Sequence, residues 1–155
     1  MRAKTSVAYY DGAVVAALAA VAFVGVLLAS AVGGASPADK KRLEIERGRY
    51  LVEEVARCAE CHTPRDASGE LDRQAWLQGA TIWIQPARDI ANWADQAPPL
   101  AGLPSLTEEQ MERVLEKGVG PEGETLRPPM HTYHLQPADA QAIIAYLKSL
   151  PPPRH

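Results

Sequence analysis

Cys58 and Cys61 are the only two cysteines in the 155-residue chain, and His62 directly follows the second. Thiols three positions apart cannot staple distant segments together as the disulfides of small secreted domains do. They belong to one local site, and the rest of the chain has to fold around it. One Phe and 13 Pro point to a small core with much irregular loop, which a large flat cofactor would fill better than side chains do.

Cys58-Ala59-Glu60-Cys61-His62 has the C-x-x-C-H form of a covalent haem c attachment site. Two intervening residues place both sulfurs on one turn, spaced to add to vinyl groups on neighbouring porphyrin edges, and the next residue turns its imidazole to the iron. One motif implies one haem. A zinc site would need two further ligands, which His131 and His134 could supply. A thioredoxin-like redox pair would need the cysteines to follow a strand in a βαβ unit, whereas here they end a predicted helix with no strand pattern beside it.

With His62 on one axial side, the candidates for the other are Met111, Met130, His131 and His134. Met111 falls on the apolar stripe of a predicted helix, the ordinary place for a core methionine. Met130 follows Arg127-Pro128-Pro129, a stretch that cannot be helical, and a stiff prolyl loop suits a thioether held against iron. Met130 is therefore the expected sixth ligand, with His131 as its rival. A soft thioether favours ferrous iron, so His/Met ligation raises the potential relative to two histidines. With both axial positions filled by protein, no catalytic residue and no enzyme activity are expected. The alternative is a haem enzyme or gas sensor with a displaceable sixth ligand, in which His131 or His134 would serve as acid-base groups.

Lys and Arg number 16 against 19 Asp and Glu, with no basic run interleaved with aromatics; this lacks the footprint of a nucleic-acid binder. The first 35 residues hold Arg2, Lys4 and Asp11, so the remainder carries 14 basic against 18 acidic groups.

Residues 13–32 form a run of 20 without a charge, which as a helix would span about 30 Å of hydrocarbon. Arg2, Lys4 and Ala29-Ser30-Ala31 also fit a cleaved signal peptide, but the run exceeds the usual signal core of roughly 7–15 residues, so a retained anchor is the expectation. The boundaries are then 1–12 for a cytoplasmic N-terminus, 13–32 for the transmembrane anchor, 33–38 for a linker and 39–155 for the haem domain. Lys40, Lys41, Arg42, Arg47 and Arg49 after the span argue for a cytoplasmic domain by the positive-inside rule. They are mixed with Asp39, Glu44 and Glu46 in a predicted helix, and haem c attachment is completed outside the cytoplasm. The domain is therefore expected on the periplasmic side of a bacterial inner membrane.

The domain reads as all-α. A helix is expected from about 38 to 57, with Leu43, Tyr50, Leu51 and Val55 at helical spacing. A long Gly- and Pro-punctuated loop follows from Pro64 to Pro104. Thr107 with Gln110 has the form of a capping box, and Gly118 is a suitable terminator for the short helix between them. Pro137, the stripe Ala140, Ile143, Ile144, Leu147 and Leu150, and Pro151 describe a final amphipathic helix.

With CHTPR at 61–65, a methionine in a Pro-flanked loop and AIIAYLKSLP at 142–151, the chain from about 44 to 151 resembles class I cytochromes c. It is most similar to the cytochrome subunits that serve bacterial periplasmic dehydrogenases. The resemblance implies a class I cytochrome c fold, in which the first and last helices cross near one haem edge, with Gly48 and Tyr50 against Tyr146 and Leu147. It also implies that Arg65 and the loop carrying Trp76 and Trp93 lie near the haem propionates. The chain departs from the pattern where His131 follows Met130 in place of the usual proline, and in having one haem domain where such subunits usually have several. The expected function is that of a membrane-tethered, single-electron carrier of a respiratory chain. Its partners would be a dehydrogenase or quinol-oxidising donor, an oxidase or cytochrome acceptor and the membrane, with Gly25 and many alanines suiting the anchor to packing among other subunits.

Overall fold

A computed structural model describes residues 35–153. The first helix, α1, runs from Pro37 to Tyr50 and is mostly solvated, with Gly48 its buried residue. The chain then widens into a π-helical turn, Leu51–Val55, closed by bonds from the Ala56 N–H to the Leu51 carbonyl (2.7 Å) and from the Cys58 N–H to the Val52 carbonyl (3.0 Å). The single helix expected to residue 57 therefore ends at Tyr50 in α-form. The wider turn carries the neighbours Leu51 and Val52 into the core together, which successive residues 100° apart on a surface helix do poorly. Arg57, at φ 50°, reverses the chain in the left-handed conformation that usually falls to glycine at such helix ends.

Helix α2, Ala59–His62, is a single turn. The expected long loop follows, given shape by a 3-10 turn at Arg73–Ala75, where the Asp72 side chain accepts from the Gln74 N–H. It is closed by an antiparallel pair of two-residue strands, β1 (Ala80–Thr81) and β2 (Gln96–Ala97). Helix α3, Glu108–Lys117, has both bonds of the Thr107/Gln110 capping box and ends on Gly118 at φ 66°. Helix α4, Pro137–Ser149, begins on proline as expected. Ala142 to Leu147 are all buried, so this helix is enclosed over much more than one face, and Leu150 falls just beyond its end.

The main core gathers Leu51, Val52, Leu77, Leu100, Met111, Leu115, Ile143 and Leu147 among its buried residues. It depends on α1 touching α4 backbone to backbone: a Cβ on Gly48 would overlap the Ala142 carbonyl and stand 2.8 Å from the Tyr146 Cβ. This is the crossing expected of the first and last helices, with one correction. Tyr50 is 53% exposed and lies within cation–π reach of Arg47, so Leu51 and Val52 fill the place given to it. A second, smaller cluster of Ile82, Ala94 and Ala97 forms under the long loop. Among the described residues no helix is long and apolar enough to cross a membrane, and the candidate anchor at 13–32 lies outside them.

Candidate haem-binding site

The turn that carries the two thiols and His62 is positioned from both sides. The reversal at Arg57 brings the chain out of the core, and the His62 N–H then bonds the Cys58 carbonyl at 3.0 Å and the Thr63 N–H the Ala59 carbonyl at 3.1 Å. Thr63, 2% exposed, accepts from the Leu77 N–H through its hydroxyl at 2.9 Å. The two thiols fall in different apolar environments: Cys58 packs against the main core and Cys61 against the small cluster of Ile82, Ala94 and Ala97. Burial pushes the Cys58 thiol up to about 11 and the Cys61 thiol up as well. That is the opposite of the depressed thiol of a disulfide-exchange pair, which leaves the thioredoxin-like alternative without support.

His62 is buried, and its Nδ1 lies 2.8 Å from the Pro98 carbonyl. A prolyl carbonyl can only accept, so Nδ1 carries the proton and Nε2 keeps its lone pair for a metal. Burial lowers the His62 pKa and so favours the neutral ring; the bond to Pro98 opposes that shift but selects the tautomer.

Met130 is half-buried against the main core. Its loop is anchored at several points: the Ala94 N–H to the Pro128 carbonyl at 2.7 Å, the Met130 N–H to the Arg127 carbonyl at 3.1 Å and the Leu135 N–H to the Leu115 carbonyl at 3.2 Å. Arg127 donates to the carbonyls of Asn92 (3.2 Å) and Trp93 (2.9 Å), and the Tyr133 hydroxyl donates to the Ala56 carbonyl at 3.0 Å. The loop is thus tied both to the Trp93 segment and to the end of the π turn. His131 is exposed and packs on the Tyr133 ring, centroids 4.1 Å apart, and His134 is exposed. Among the described residues no group of three or more His, Cys, Asp and Glu side chains forms a metal cluster, so the four-ligand zinc alternative is not assembled.

The Arg65 Nε–H and the Trp93 Nε1–H are buried without an acceptor. The rest of the Arg65 guanidinium donates to Glu60 (2.8 Å) and the Gly69 carbonyl (2.8 Å). Unpaired buried donors are costly, and a carboxylate is the natural partner for both. Trp76 is half-buried against the main core, where the Arg73 guanidinium stacks over it at 4.2 Å and the Tyr146 hydroxyl is a neighbour. Two thiols and an oriented imidazole on one turn fit a covalent haem, and the buried N–H groups of Arg65 and Trp93 are donors that carboxylates such as its propionates would satisfy.

Sequence reasoning missed Pro98, Arg127, Tyr133 and Trp83. The first acts through its backbone carbonyl, which has no side-chain signature. Arg127 was read only as loop punctuation before Pro128, and Tyr133 was passed over between two histidines. Trp83, within the long loop, is 60% exposed and donates from Nε1 to the Glu60 carbonyl at 3.3 Å.

Residues 45–151 match the family model for cytochrome c. The chain is 36% identical over 112 residues to a fructose dehydrogenase cytochrome subunit of Gluconobacter japonicus, covering 68% of this chain and 22% of that one. It is 36% identical over 121 residues to a diheme cytochrome c-type protein of Cereibacter sphaeroides (70% and 36%). It is 30% identical over 127 residues to the cytochrome c subunit of a quinone alcohol dehydrogenase of Gluconacetobacter polyoxogenes (76% and 26%). The chain thus spans between 22 and 36% of the length of these curated relatives. A family match over most of the haem domain makes this chain a member of the cytochrome c family, an electron-transfer protein with covalent haem c.

Proposed function

We propose that the chain is a membrane-tethered carrier with one haem, passing single electrons from a dehydrogenase or quinol-oxidising donor to an oxidase or another cytochrome on the periplasmic face of a bacterial inner membrane. The observation that carries the reading is the buried His62 ring, fixed by Pro98 with Nε2 free, on the same turn as two thiols that face different apolar clusters. The charge-free run at 13–32 supports the tether. The relatives, two of them named as cytochrome subunits of dehydrogenases, support the class of donor.

When bound, the haem supplies the one-electron couple. Cys58, beside one apolar cluster, and Cys61, beside the other, would hold it as thioethers. His62 would offer the iron a neutral, oriented imidazole, and Met130 would offer a soft thioether from a loop that Arg127 and Tyr133 brace. Arg65 and Trp93 would give their unpaired N–H groups to the propionates, which would satisfy both donors, and the Arg65 charge would offset that of a propionate. Burial of His62 would keep water off that ligand, so little around it would have to reorganise on electron transfer.

The test is the visible spectrum of protein matured with covalent haem, wild type against Met130→Ala. Haem that survives acid-acetone extraction, with a thioether-to-iron charge-transfer band absent only in the mutant, is the expected result. Absence of covalent haem would overturn the assignment. A charge-transfer band that is missing already in the wild type would move the sixth ligand to His131 or His134.

A further inference from the structure

The segment that carries Met130 is held on both sides, but by unequal means. Before it, Arg127 donates to the carbonyls of Asn92 and Trp93, and the Pro128 carbonyl accepts from the Ala94 N–H. Two prolines in succession stiffen that side further. After it come a packing contact and one side-chain bond before the backbone is anchored again at Leu135. Thr132 lies against Gly118, where a Cβ would overlap its side chain, and the Tyr133 hydroxyl donates to the Ala56 carbonyl at 3.0 Å, across 77 residues of sequence.

Ala56 closes the π turn through its N–H to the Leu51 carbonyl, Arg57 then reverses the chain at φ 50°, and Cys58 follows. The phenol therefore ties the Met130 loop to the backbone that presents the first haem-binding thiol. Tyr133 is half-buried against the main core. Burial, and after it the neighbouring Cys58 and Cys61, raise its pKa to about 12, so the hydroxyl keeps its proton and remains a donor. Its ring carries the His131 imidazole, centroids 4.1 Å apart, a contact that does not use the hydroxyl.

An outside ligand reaches a six-coordinate iron only when one axial group leaves, and a thioether held by a loop leaves only if the loop moves. The prolyl side of this loop yields less than the Tyr133 side, so opening runs through the bond to Ala56. The apparent affinity for an outside ligand scales with the fraction of molecules that are open. A hydrogen bond made only in the closed form lowers that fraction.

We infer that Tyr133 is a positioning residue for the sixth ligand of the iron: its hydroxyl, fastened to Ala56, keeps Met130 in place and closes the iron to small ligands such as imidazole. The inference rests on the Met130 ligation proposed above. It makes one phenolic oxygen decide between a closed electron carrier and a haem that takes up ligands.

The test titrates imidazole into the ferric, haem-loaded full chain and follows the thioether-to-iron charge-transfer band. Tyr133→Phe keeps the ring and removes the hydroxyl alone. It should show the wild-type band before imidazole is added, and is expected to bind imidazole about fivefold more tightly, the factor for one net hydrogen bond. Tyr146→Phe loses a phenolic hydrogen bond between α4 and the π turn but none to the Met130 loop, and should bind imidazole as wild type does. Wild-type affinity in Tyr133→Phe, or the same gain in both tyrosine variants, would overturn the inference. Met130→Ala, with no thioether to displace, should bind imidazole more tightly than Tyr133→Phe. If it binds no more tightly than wild type, the Met130 ligation has failed and this inference with it; if it binds tightly while Tyr133→Phe matches wild type, the role of Tyr133 alone is overturned.

Discussion

His62 Nδ1 and the Pro98 carbonyl stand 2.8 Å apart, across a sequence separation of 36 residues. The bond fixes the tautomer and makes the ring a better donor to iron, which stabilises the ferric state. Pro98→Gly loosens the backbone that carries the acceptor while leaving a carbonyl in place. The midpoint potential is expected to rise by about 20–40 mV, equivalent to the loss of roughly 0.5–1 kcal/mol of hydrogen bonding at 59 mV per tenfold change for one electron. Potentiometric titration of the haem-loaded protein checks this; an unchanged potential would show that the bond does not bias the iron.

Trp93 offers a sharper contrast, because its buried Nε1–H is without an acceptor in the protein alone. Removing an unsatisfied buried donor is near neutral or favourable, whereas removing one that is bonded to a carboxylate costs about 1–2 kcal/mol. Trp93→Phe is therefore expected to leave the haem-free chain as stable as wild type or more so, and to destabilise the haem-loaded form. Chemical denaturation of both forms reads the difference. A mutation that weakens both forms equally would mean that the indole serves only as packing.

Helix termini and periodicity were legible because they are local. Thr107 and Gln110 state a helix start in four residues, and Gly118 and Pro137 mark an end and a beginning; the structure has all of these. The thiols and His62 were legible for the same reason. What stayed hidden acts at long range or through the backbone. Pro98 reaches His62 from 36 residues away, and Arg127 reaches Trp93 from 34. The swap of Tyr50 for Leu51 and Val52 at the helix crossing follows from a π turn whose bonds no residue pattern announces. Trp76 and Trp93 lie in one loop, and only contacts across the fold tell them apart: Trp76 packs against the main core, whereas Trp93 keeps a buried, unpaired Nε1–H.

Gly48 tests the helix crossing. A methyl group there meets the Ala142 backbone and the Tyr146 Cβ, neither of which can move without shifting α4. Gly48→Ala gains helix propensity worth about 1 kcal/mol, but overpacking costs about 1–3 kcal/mol and more where backbone must shift. Net destabilisation, with a lowered midpoint in denaturant and a helical spectrum still present, is the expected result. A more stable variant would show that the two helices have room to separate.

Tyr146 closes the same crossing from the other side, donating its hydroxyl to Glu53 at 2.6 Å. Burial first, and then this hydrogen bond, raise its pKa to about 12 from an ordinary value of 10.0. A tyrosine whose folded pKa lies above its unfolded value contributes stability that is complete below the unfolded pKa and is lost as pH rises toward the folded one, because only the unfolded chain readily releases the proton. The fold should therefore weaken between about pH 10 and 12. In Tyr146→Phe the stability at pH 8 is expected to fall by about 1 kcal/mol for the lost hydrogen bond, and the decline above pH 10 to become shallower than in wild type. Thermal melting of the two proteins at matched pH values separates the contributions. Parallel decline in both would assign the alkaline weakening to other groups, with Tyr133, itself raised to about 12, as the next residue to replace.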